Sequence, residues 1–306
     1  MKPPQQAQGK KPKIIAIVGP TASGKSSLGI YLAKKLNGEI ISADSRQVYK
    51  GLDIGTGKVT KKEMQGVKHH LLSVASPKKQ FTVDDFVRLA ERAHSNILQN
   101  DRMIIVVGGT GLYVDALLGR MAYPNVPPNK KLREQLEQRT AKQLLAQLQK
   151  LDPRRAANIE PDHKRRLIRA IEIAKAVGRS PAPSDGAGQS PYNVLWLGLS
   201  PAPEKLKKNI RMRLFARIRT GMIAEAKKLH AAGLSYKRME ELGLEYRSLA
   251  RYLQNKISKD ELKKEITQGN WQYAKRQSKW FKRNKAIHWV RGKAEALFLS
   301  KKFLKL

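Results

Sequence analysis

The chain of 306 residues carries 61 lysines and arginines against 25 acidic residues, a formal net charge of +36. Its length and hydrophobic content of 41% exclude wholesale disorder and predict two lobes rather than one. The absence of cysteine excludes disulfides, thiolate metal sites and cysteine nucleophiles.

The charge and the lack of long apolar runs indicate where the protein acts. No run approaches the roughly 20 apolar residues of a membrane helix, and residues 1–13 lack the apolar segment of a signal peptide. We therefore expect a cytoplasmic protein that does not bind membranes. The positive excess favours a polyanionic partner, nucleic acid foremost, and the alternative is a generally basic composition that serves solubility.

The N-terminal part predicts alternating strands and helices. Residues 1–13, with three prolines and four lysines, are typical of a disordered basic tail. A buried strand over Ile14–Val18 precedes a helix over Ser26–Leu36, which Asn37 and Gly38 end. A second strand is predicted over Glu39–Ala43. A capping box at Thr82–Asp85 begins a helix that runs to Asn100.

A further buried strand over Met103–Val107 continues the alternation of strands and helices. This alternation predicts an α/β fold with a doubly wound parallel sheet. Ligands of such sheets bind at the carboxyl ends of the strands. Three groups follow strand ends here: the loop after Val18, Asp44, and Gly108–Thr110.

The rest of the chain predicts a helical insertion and a helical end. We expect residues 14–119 and 193–306 to form the core, and residues 120–192 an inserted helical domain. The insertion has predicted helices over Asn129–Leu148 and His163–Val177, with a Gly/Pro/Ser linker over residues 178–190. A strand over Asn193–Leu199 then precedes the helical, basic C-terminal part, with long helices near residues 204–232 and 258–281.

Residues 19–26, GPTASGKS, match the phosphate-binding loop motif G-x-x-x-x-G-K-[ST] between a predicted strand and a predicted helix. In this motif, backbone N–H groups converge on phosphate oxygens, Lys25 adds a full positive charge, and Ser26 can ligate Mg²⁺. The alternative is a chance glycine-rich turn. NTPases also need an acidic residue at the end of a hydrophobic strand, but Ile104–Val107 ends in Gly-Gly-Thr. The loop is therefore expected to bind a phosphorylated donor whose departing phosphate it stabilises.

Several other segments leave two interpretations open. Asp44 is either a general base or magnesium ligand, or an ordinary turn aspartate. Residues 51–57, GLDIGTG, form either a second anion-binding turn or a flexible loop. The cations of residues 163–169 and 271–283 either face phosphates or are solvated, and the aromatic residues among the latter favour core packing. His69 and His70 lack further ligands at metal spacing and are taken as structural.

These motifs together resemble the tRNA dimethylallyltransferase family, also called tRNA isopentenyltransferases, in the bacterial form without a zinc finger. The resemblance covers about residues 14–289. It rests on GPTASGKS (19–26), ISADSRQVYKGLDIGTGK (41–58), VGGTGLYVDALL (107–118), LDPRRAANIEPDHKRRLIRAIEI (151–173) and YAKRQ (273–277). Trp271 departs from the family's usual arginine, and residues 243–247 vary a further family motif.

The resemblance implies transfer of a dimethylallyl group from dimethylallyl diphosphate to the exocyclic amine of the adenine 3′ of the tRNA anticodon, with Mg²⁺ as cofactor. It implies Asp44, Thr21 and Lys25 as catalytic residues, Asp44 as the base, and Ser26 as the metal ligand. The implied diphosphate-binding residues are Gly19, Thr21, Ala22, Ser23, Gly24, Lys25, Ser26 and Arg213. The implied tRNA-binding residues are Asp44, Ser45, Arg46, Gln47, Thr110, Arg133, Lys164, Arg165, Arg166 and Arg169.

Two other functions remain possible from the sequence. A small-molecule or nucleoside kinase would use the same phosphate-binding loop, but the inserted helices and the charge disfavour it. A non-catalytic RNA-binding protein would use the loop only to sense a nucleotide. We expect a monomer that holds the anticodon arm of tRNA, because the RNA would occupy most of the basic surface.

Overall fold

The computed structural model of the chain describes residues 11–121, 124, 126–178 and 190–306. Lys13, at the edge of the predicted tail, is the first residue of a strand, whereas residues 1–10 of that tail lie outside the described residues. Residues 179–189 of the predicted linker also lie outside them. The chain divides into two units, one that ends at Leu118 and resumes at Pro191, and one over Gly119–Ser190.

The strands of the first unit form one parallel sheet in the order β3-β2-β4-β1-β5-β6. Their bounds are β1 (Lys13–Val18), β2 (Gly38–Ala43), β3 (His69–His70), β4 (Met103–Gly108), β5 (Asn193–Gly198) and β6 (Ile287–Trp289). The strands predicted near residues 14, 39, 103 and 193 are confirmed, as is the parallel α/β fold. β3 and β6 were not predicted, because two and three residues are too short for a hydrophobic period to show.

Helices cover the sheet and extend the first unit. They are α1 (Lys25–Lys35), α2 (Lys61–Met64), α3 (Val83–Gln99), α4 (Gly111–Leu117), α9 (Pro203–Arg219), α10 (Met222–Ala231), α11 (Tyr236–Leu242), α12 (Leu244–Leu253), α13 (Lys259–Phe281) and α14 (Lys293–Leu304). The second unit contains α5 (Lys130–Glu137), α6 (Ala141–Leu151), α7 (Pro153–Ala157) and α8 (Lys164–Val177).

Two of the predicted long helices are each divided in the structure. The helix predicted over residues 204–232 separates into α9 and α10 because Gly221 adopts a left-handed conformation with φ of 105°. The helix predicted over residues 129–148 separates into α5 and α6 because Thr140 caps α6 through a capping box with Gln143. By contrast, the capping box of Thr82 and Asp85 begins α3 as predicted.

Both faces of the sheet are buried, as the continuous apolar strands indicated. Ile15 and Ile17 of β1 pack into one core cluster with residues of α1 and α14. The alternate residues, Ile14 and Ala16, point to the opposite face and are also fully buried. A second cluster joins α9 to α13 around Met222, Met239 and Tyr246. Within the described part of the chain, none of the helices has the length and apolar character that spanning a bilayer requires.

Candidate active site

The carboxyl ends of the central strands meet at one edge of the sheet in matching register. Val18 at the end of β1 pairs with Gly108 of β4 on one side and Gly198 of β5 on the other. Gly108 also pairs with Ala43, the last residue of β2. The phosphate-binding loop, Asp44 and Gly109 each follow one of these ends, so the structure brings together the three groups that the sequence placed there.

The phosphate-binding loop depends on unusual backbone conformations. Gly19 has φ of 146°, Gly24 has φ of 95°, and Ala22 occupies the left-handed region with φ of 60°. A side chain at position 19 would overlap with the carbonyl oxygen of Leu199, which follows β5. These conformations turn the loop around the N-terminus of α1, where unpaired N–H groups favour anions.

Lys25 is the charged centre of this loop. Its ammonium donates a hydrogen bond of 2.6 Å to the carbonyl oxygen of Pro20. Burial lowers the pKa of Lys25 to about 7, the charge of Arg213 contributes to this decrease, and Asp44 opposes it. Without a bound anion, a positive charge at this position is therefore costly, and a multiply charged anion would compensate for it.

A cavity of about 820 Å³ opens beside the loop. Ala22, Ser23, Gly24, Lys25, Ser26 and Arg213, six of the eight predicted diphosphate ligands, line it. The charged residues that line it are Lys25, Lys34, Lys35, Glu63, Arg213 and Lys293. The buried hydroxyl of Ser23 has no hydrogen-bond partner among the described residues. Cations in excess and an unpartnered hydroxyl together fit an anionic ligand.

Arg213 reaches this cavity from α9. A side chain at position 57 would place its Cβ 2.7 Å from a terminal nitrogen of Arg213, so it would displace the guanidinium. Burial lowers the pKa of Arg213, and so does the charge of Arg217 one helical turn away. Arg217 is itself held by the carbonyl oxygen of Gly55 at 2.6 Å and by Glu245 at 3.1 Å.

Asp44 lies in the turn that follows β2. Its Oδ1 atom accepts hydrogen bonds from the backbone N–H groups of Arg46 at 2.8 Å and Gln47 at 3.3 Å. Oδ2 accepts none from the part of the chain that the structure describes, and the residue is half-buried. Asp44 is thus a turn aspartate whose second oxygen is available to a substrate, so the two interpretations of this residue are compatible.

Thr110 joins the turn of Asp44 to the loop after β4. Its Oγ1 atom accepts a hydrogen bond of 3.0 Å from the backbone N–H of Ser45. The Tyr273 side chain of α13 also hydrogen-bonds Thr110, and burial raises the pKa of Tyr273 to about 12. Tyr273 therefore stays protonated at neutral pH, and the strand-end loops are linked through side chains.

Gln277 is a site residue whose role no sequence pattern indicated. It is buried on α13, where its Oε1 accepts a hydrogen bond of 2.7 Å from the Thr21 N–H. Its Nε2 donates one of 2.8 Å to the carbonyl oxygen of Gly109. Asn209 of α9 similarly donates to the carbonyl oxygen of Ala22 at 3.2 Å. The YAKRQ motif contained Gln277, but only the fold shows what this residue binds.

The loop over residues 51–57 binds an anion from its own chain. The carboxylate of Glu225 accepts hydrogen bonds from the N–H groups of Asp53, Ile54 and Gly55 at 2.7 to 2.9 Å. The Tyr246 hydroxyl donates to the same carboxylate at 2.6 Å. Of the two interpretations of this loop, the anion-binding turn fits, because its N–H groups do bind an anion. That anion is the Glu225 side chain rather than a ligand.

The predicted RNA-binding residues of the second unit form two groups. Arg133 and Arg169 both contact Glu172, whose side chain is 1% exposed, at 2.7 and 3.3 Å. Although burial opposes it, the hydrogen bond from Arg133 holds the pKa of Glu172 below its usual range. Arg165 is exposed, whereas Arg166 pairs with Glu160 and Lys164 donates to the carbonyl oxygen of Glu137. Arg133 and Arg169 therefore also stabilise the unit itself.

The C-terminal helix α13 separates its aromatic residues from its cations. Phe281 is buried, and Trp280 donates to Asp115 of α4 at 2.7 Å. Trp271 packs on a cluster that includes Ala22 of the phosphate-binding loop. The cations of this segment are all exposed: Lys275, Arg276, Lys279, Lys282 and Arg283. The aromatic residues thus serve packing, as the sequence favoured, and the cations remain accessible to phosphates.

The histidine pair of β3 is held by neighbouring groups. His69 Nδ1 lies 2.9 Å from the carbonyl oxygen of Val67, and His70 Nε2 lies 2.6 Å from Glu39. Among the described residues, no three histidines, aspartates or glutamates are close enough to hold a metal together.

Comparison with known proteins identifies the family. A family model described as IPP transferase matches residues 47–284. The tRNA dimethylallyltransferase 1 of Geotalea uraniireducens is 37% identical over 96% of this chain and 97% of its own length. This chain belongs to the tRNA dimethylallyltransferase family. It is therefore a prenyltransferase by family, and the resemblance stated from its motifs is confirmed.

Solved structures of the family share the fold. A tRNA isopentenylpyrophosphate transferase of Bacillus halodurans is 35% identical, covers 97% of both chains and superposes with a TM-score of 0.72. A eukaryotic dimethylallyltransferase described as acting on tRNA is 26% identical, covers 96% of this chain and 80% of its own, and has a TM-score of 0.83. Family membership favours prenyl transfer over the phosphoryl transfer of the kinase alternative.

Proposed function

We propose that the protein transfers a dimethylallyl group from dimethylallyl diphosphate to the exocyclic amine of the adenine 3′ of the tRNA anticodon and releases diphosphate. The observation that carries this proposal is the basic cavity at the phosphate-binding loop, with the free oxygen of Asp44 on the loop after β2. A site with an anion-binding side and a carboxylate suits displacement of diphosphate by an amine.

On the donor side, the diphosphate is held by Gly19, Thr21, Ala22, Ser23, Gly24, Lys25, Ser26 and Arg213. Cleavage of the allylic carbon–oxygen bond increases negative charge on the leaving group. Protonated Lys25 and Arg213 supply positive charges in a partly buried site, where such charges stabilise the transition state strongly. The Thr21 N–H is engaged by Gln277, so Thr21 serves the diphosphate through its hydroxyl.

The residues present fit a magnesium ion in one way. Ser26 lines the cavity, and the described residues offer no carboxylate cluster for a metal. Mg²⁺ commonly takes one or two protein ligands, with phosphate oxygens and water completing its shell. Ser26 would hold the ion against the diphosphate, where the ion would neutralise charge on the leaving group.

On the acceptor side, Asp44 removes the proton of the amine. The lone pair of an adenine amine is delocalised into the ring, so the amine is a weak nucleophile. A carboxylate that accepts the proton as the carbon–nitrogen bond forms lowers the barrier. The turn hydrogen bonds to Oδ1 fix this carboxylate while Oδ2 remains available.

The tRNA partner is bound through phosphates and a splayed base. An adenine stacked in an anticodon loop must leave its stack to react, and single-stranded loops are where proteins read RNA bases. We assign to tRNA binding the residues that the family resemblance implies: Asp44, Ser45, Arg46, Gln47, Thr110, Arg133, Lys164, Arg165, Arg166 and Arg169. The net charge of +36 supports this polyanionic partner. We propose that the protein acts as a monomer in the cytoplasm.

One experiment tests the reaction. The protein is incubated with unmodified tRNA, Mg²⁺ and labelled dimethylallyl diphosphate, and the tRNA is then digested to nucleosides. We expect labelled adenosine. A parallel reaction with ATP labelled in its γ-phosphate tests the kinase alternative. Label from ATP in a product, with none from the prenyl donor, would overturn the proposal.

A further inference from the structure

We propose that Gln277 is a positioning residue that sets the distance between the diphosphate site and the acceptor base Asp44. This inference rests on the proposed function. It starts from the position of a buried side-chain amide between two loops that carry different halves of the reaction. A positioning residue of this kind acts through its partners and does not contact the reacting atoms.

Both ends of the Gln277 amide are used, each by a different strand-end loop. Oε1 accepts from the Thr21 N–H in the loop after β1, and Nε2 donates to the Gly109 carbonyl in the loop after β4. The two distances, 2.7 and 2.8 Å, are those of good hydrogen bonds. In a buried position, such a doubly satisfied amide fixes its partners more specifically than apolar packing.

The connection continues from Gly109 to Asp44. The residue after Gly109, Thr110, accepts a hydrogen bond from the Ser45 N–H, and Thr110 N–H donates to the Ala43 carbonyl. These two bonds hold the residues on either side of Asp44. A path of hydrogen bonds and single peptide units therefore leads from the diphosphate loop through Gln277 to the base.

The helix that carries Gln277 is docked along this same face. Tyr273 contacts Thr110, Ala274 packs in the cluster with Ala22, and Trp280 bonds Asp115 of α4. Successive residues among Tyr273, Gln277 and Trp280 are four and three positions apart, so the three side chains share one face of the helix. The helix is thus held against both loops, and one of its polar side chains, Gln277, hydrogen-bonds to both.

The backbone of Gly109 lies directly against the Gln277 amide. A Cβ at position 109 would overlap with the Nε2 atom of Gln277, and the φ of Gly109 lies outside the left-handed region. The backbone there would accept alanine without strain, so the main effect of a methyl group at position 109 would be to displace the Gln277 amide. This makes Gly109→Ala a second way to disturb the same contact without removing a polar group.

The spacing matters because the two substrates react in a single geometry. The amine must approach the allylic carbon opposite the departing diphosphate, while Asp44 stays within hydrogen-bond reach of the amine. A misplacement of about 1 Å can cost on the order of 100-fold in rate. Loss of the Gln277 bridge should therefore lower kcat while each substrate still binds.

The main variant is Gln277→Met, which keeps the size of the side chain and removes both hydrogen bonds. We expect kcat for transfer of labelled dimethylallyl to tRNA to fall about 100-fold. The dissociation constants for dimethylallyl diphosphate and for tRNA, measured separately, should change less than about threefold. Gln268→Met, on the exposed side of the same helix, is the matched control and should retain full activity. Unchanged kcat in a folded Gln277→Met protein would overturn the proposal.

Gly109→Ala tests the contact from its other side and applies even if Gln277→Met does not fold. We expect a similar loss of kcat, and we expect Gln277→Ala to add little to it, because the smaller side chain makes room for the new methyl group. The combined variant should therefore lose less than the product of the two single losses. If the loss of kcat in the combined variant equals the product of the two single losses, Gln277 has a merely structural role. The same holds if the rate falls only as much as the affinity for dimethylallyl diphosphate falls.

Amide hydrogen exchange separates this proposal from the proposed function. The Thr21 amide should exchange faster in Gln277→Met than in the wild type, whatever reaction the protein catalyses. If the wild type makes no prenylated adenosine, the proposed function fails, and the exchange rate still reports on the bridge. Unchanged exchange at Thr21 would mean that Gln277 does not hold the loop.

Discussion

The ammonium of Lys25 donates a hydrogen bond to the carbonyl of Pro20, five residues earlier in the same loop. The Lys25 ammonium therefore contacts the backbone of its own loop. Its pKa is lowered to about 7, mainly by burial and secondly by the charge of Arg213. A neutral carbonyl compensates a buried charge poorly, whereas a diphosphate compensates it well. Binding of the donor should therefore be coupled to protonation of Lys25.

The sign of this coupling gives a pH dependence. The diphosphate favours charged Lys25, so its affinity should be full below pH 7 and should fall as the pH rises above about 7, by at most tenfold per pH unit. Calorimetry at pH 8 in buffers of different ionisation enthalpy should show proton uptake on donor binding. Lys25→Arg is the control, because an arginine does not titrate in this range and donor affinity should then not fall with pH in this way. The same pH dependence in that variant would contradict the assignment to Lys25.

Replacement of Asp44 by asparagine tests the acceptor base. The asparagine side chain can still accept the turn hydrogen bonds through its Oδ1 but cannot take a proton. We expect kcat to fall by about 100- to 10,000-fold, and the dissociation constant for tRNA to change much less, because the other proposed tRNA contacts remain. Single-turnover transfer of labelled dimethylallyl measures the rate, and Asp101→Asn, at an exposed turn, is the matched control. Transfer at the full rate by Asp44→Asn would remove Asp44 as the base.

Glu225→Gln tests the internal anion of the 51–57 loop. The carboxylate accepts three backbone N–H groups and the Tyr246 hydroxyl, and an amide would place its own N–H groups against some of these donors. We expect the free energy of unfolding to fall by about 2 kcal/mol. Glu241→Gln, which loses an exposed pair with Arg238, should change it by less than about 1 kcal/mol. Equal denaturant midpoints for both variants would show that the loop does not depend on Glu225.

Salt dependence tests the RNA-binding assignment in the second unit. Arg165 is exposed, so Arg165→Ala should weaken tRNA binding without disturbing the fold. The slope of log affinity against log salt should decrease by about 0.7 to 0.9 if this side chain meets one phosphate. Lys301→Ala, which removes an exposed lysine of α14 in the first unit, is the control and should leave the slope unchanged. An identical slope for the wild type and Arg165→Ala would exclude Arg165 from the interface.

Arg169 requires a different expectation from Arg165 because of its partner. It contacts Glu172, which is nearly fully buried, so Arg169→Ala leaves that carboxylate with one fewer cation. We expect a lower melting temperature as well as weaker tRNA binding, since a buried charge that loses a partner is destabilising. Thermal unfolding of Arg165→Ala and Arg169→Ala side by side measures the difference. Equal melting temperatures would show that Arg169 has no structural role.

Local sequence patterns were sufficient to predict the parallel sheet, the phosphate-binding loop and the family. Buried parallel strands have continuous apolar runs, and the loop requires glycine and lysine at set positions, so both leave local patterns in the chain. The placement of Asp44 at a strand end followed from the same regularity. The patterns missed short elements such as β3, and the break at Gly221, whose left-handed backbone a helical period does not reveal.

The pairing of distant side chains, by contrast, is visible only in the folded chain. Gln277 lies 256 residues from Thr21 in the chain, and Glu225 lies 172 residues from Asp53, so no local pattern could pair them. In the same way, the sequence indicates Arg133 and Arg169 only as RNA-binding cations, whereas in the folded chain both contact Glu172. Local patterns report what a segment needs to bury, whereas the partner of a buried polar group is set by how distant segments pack.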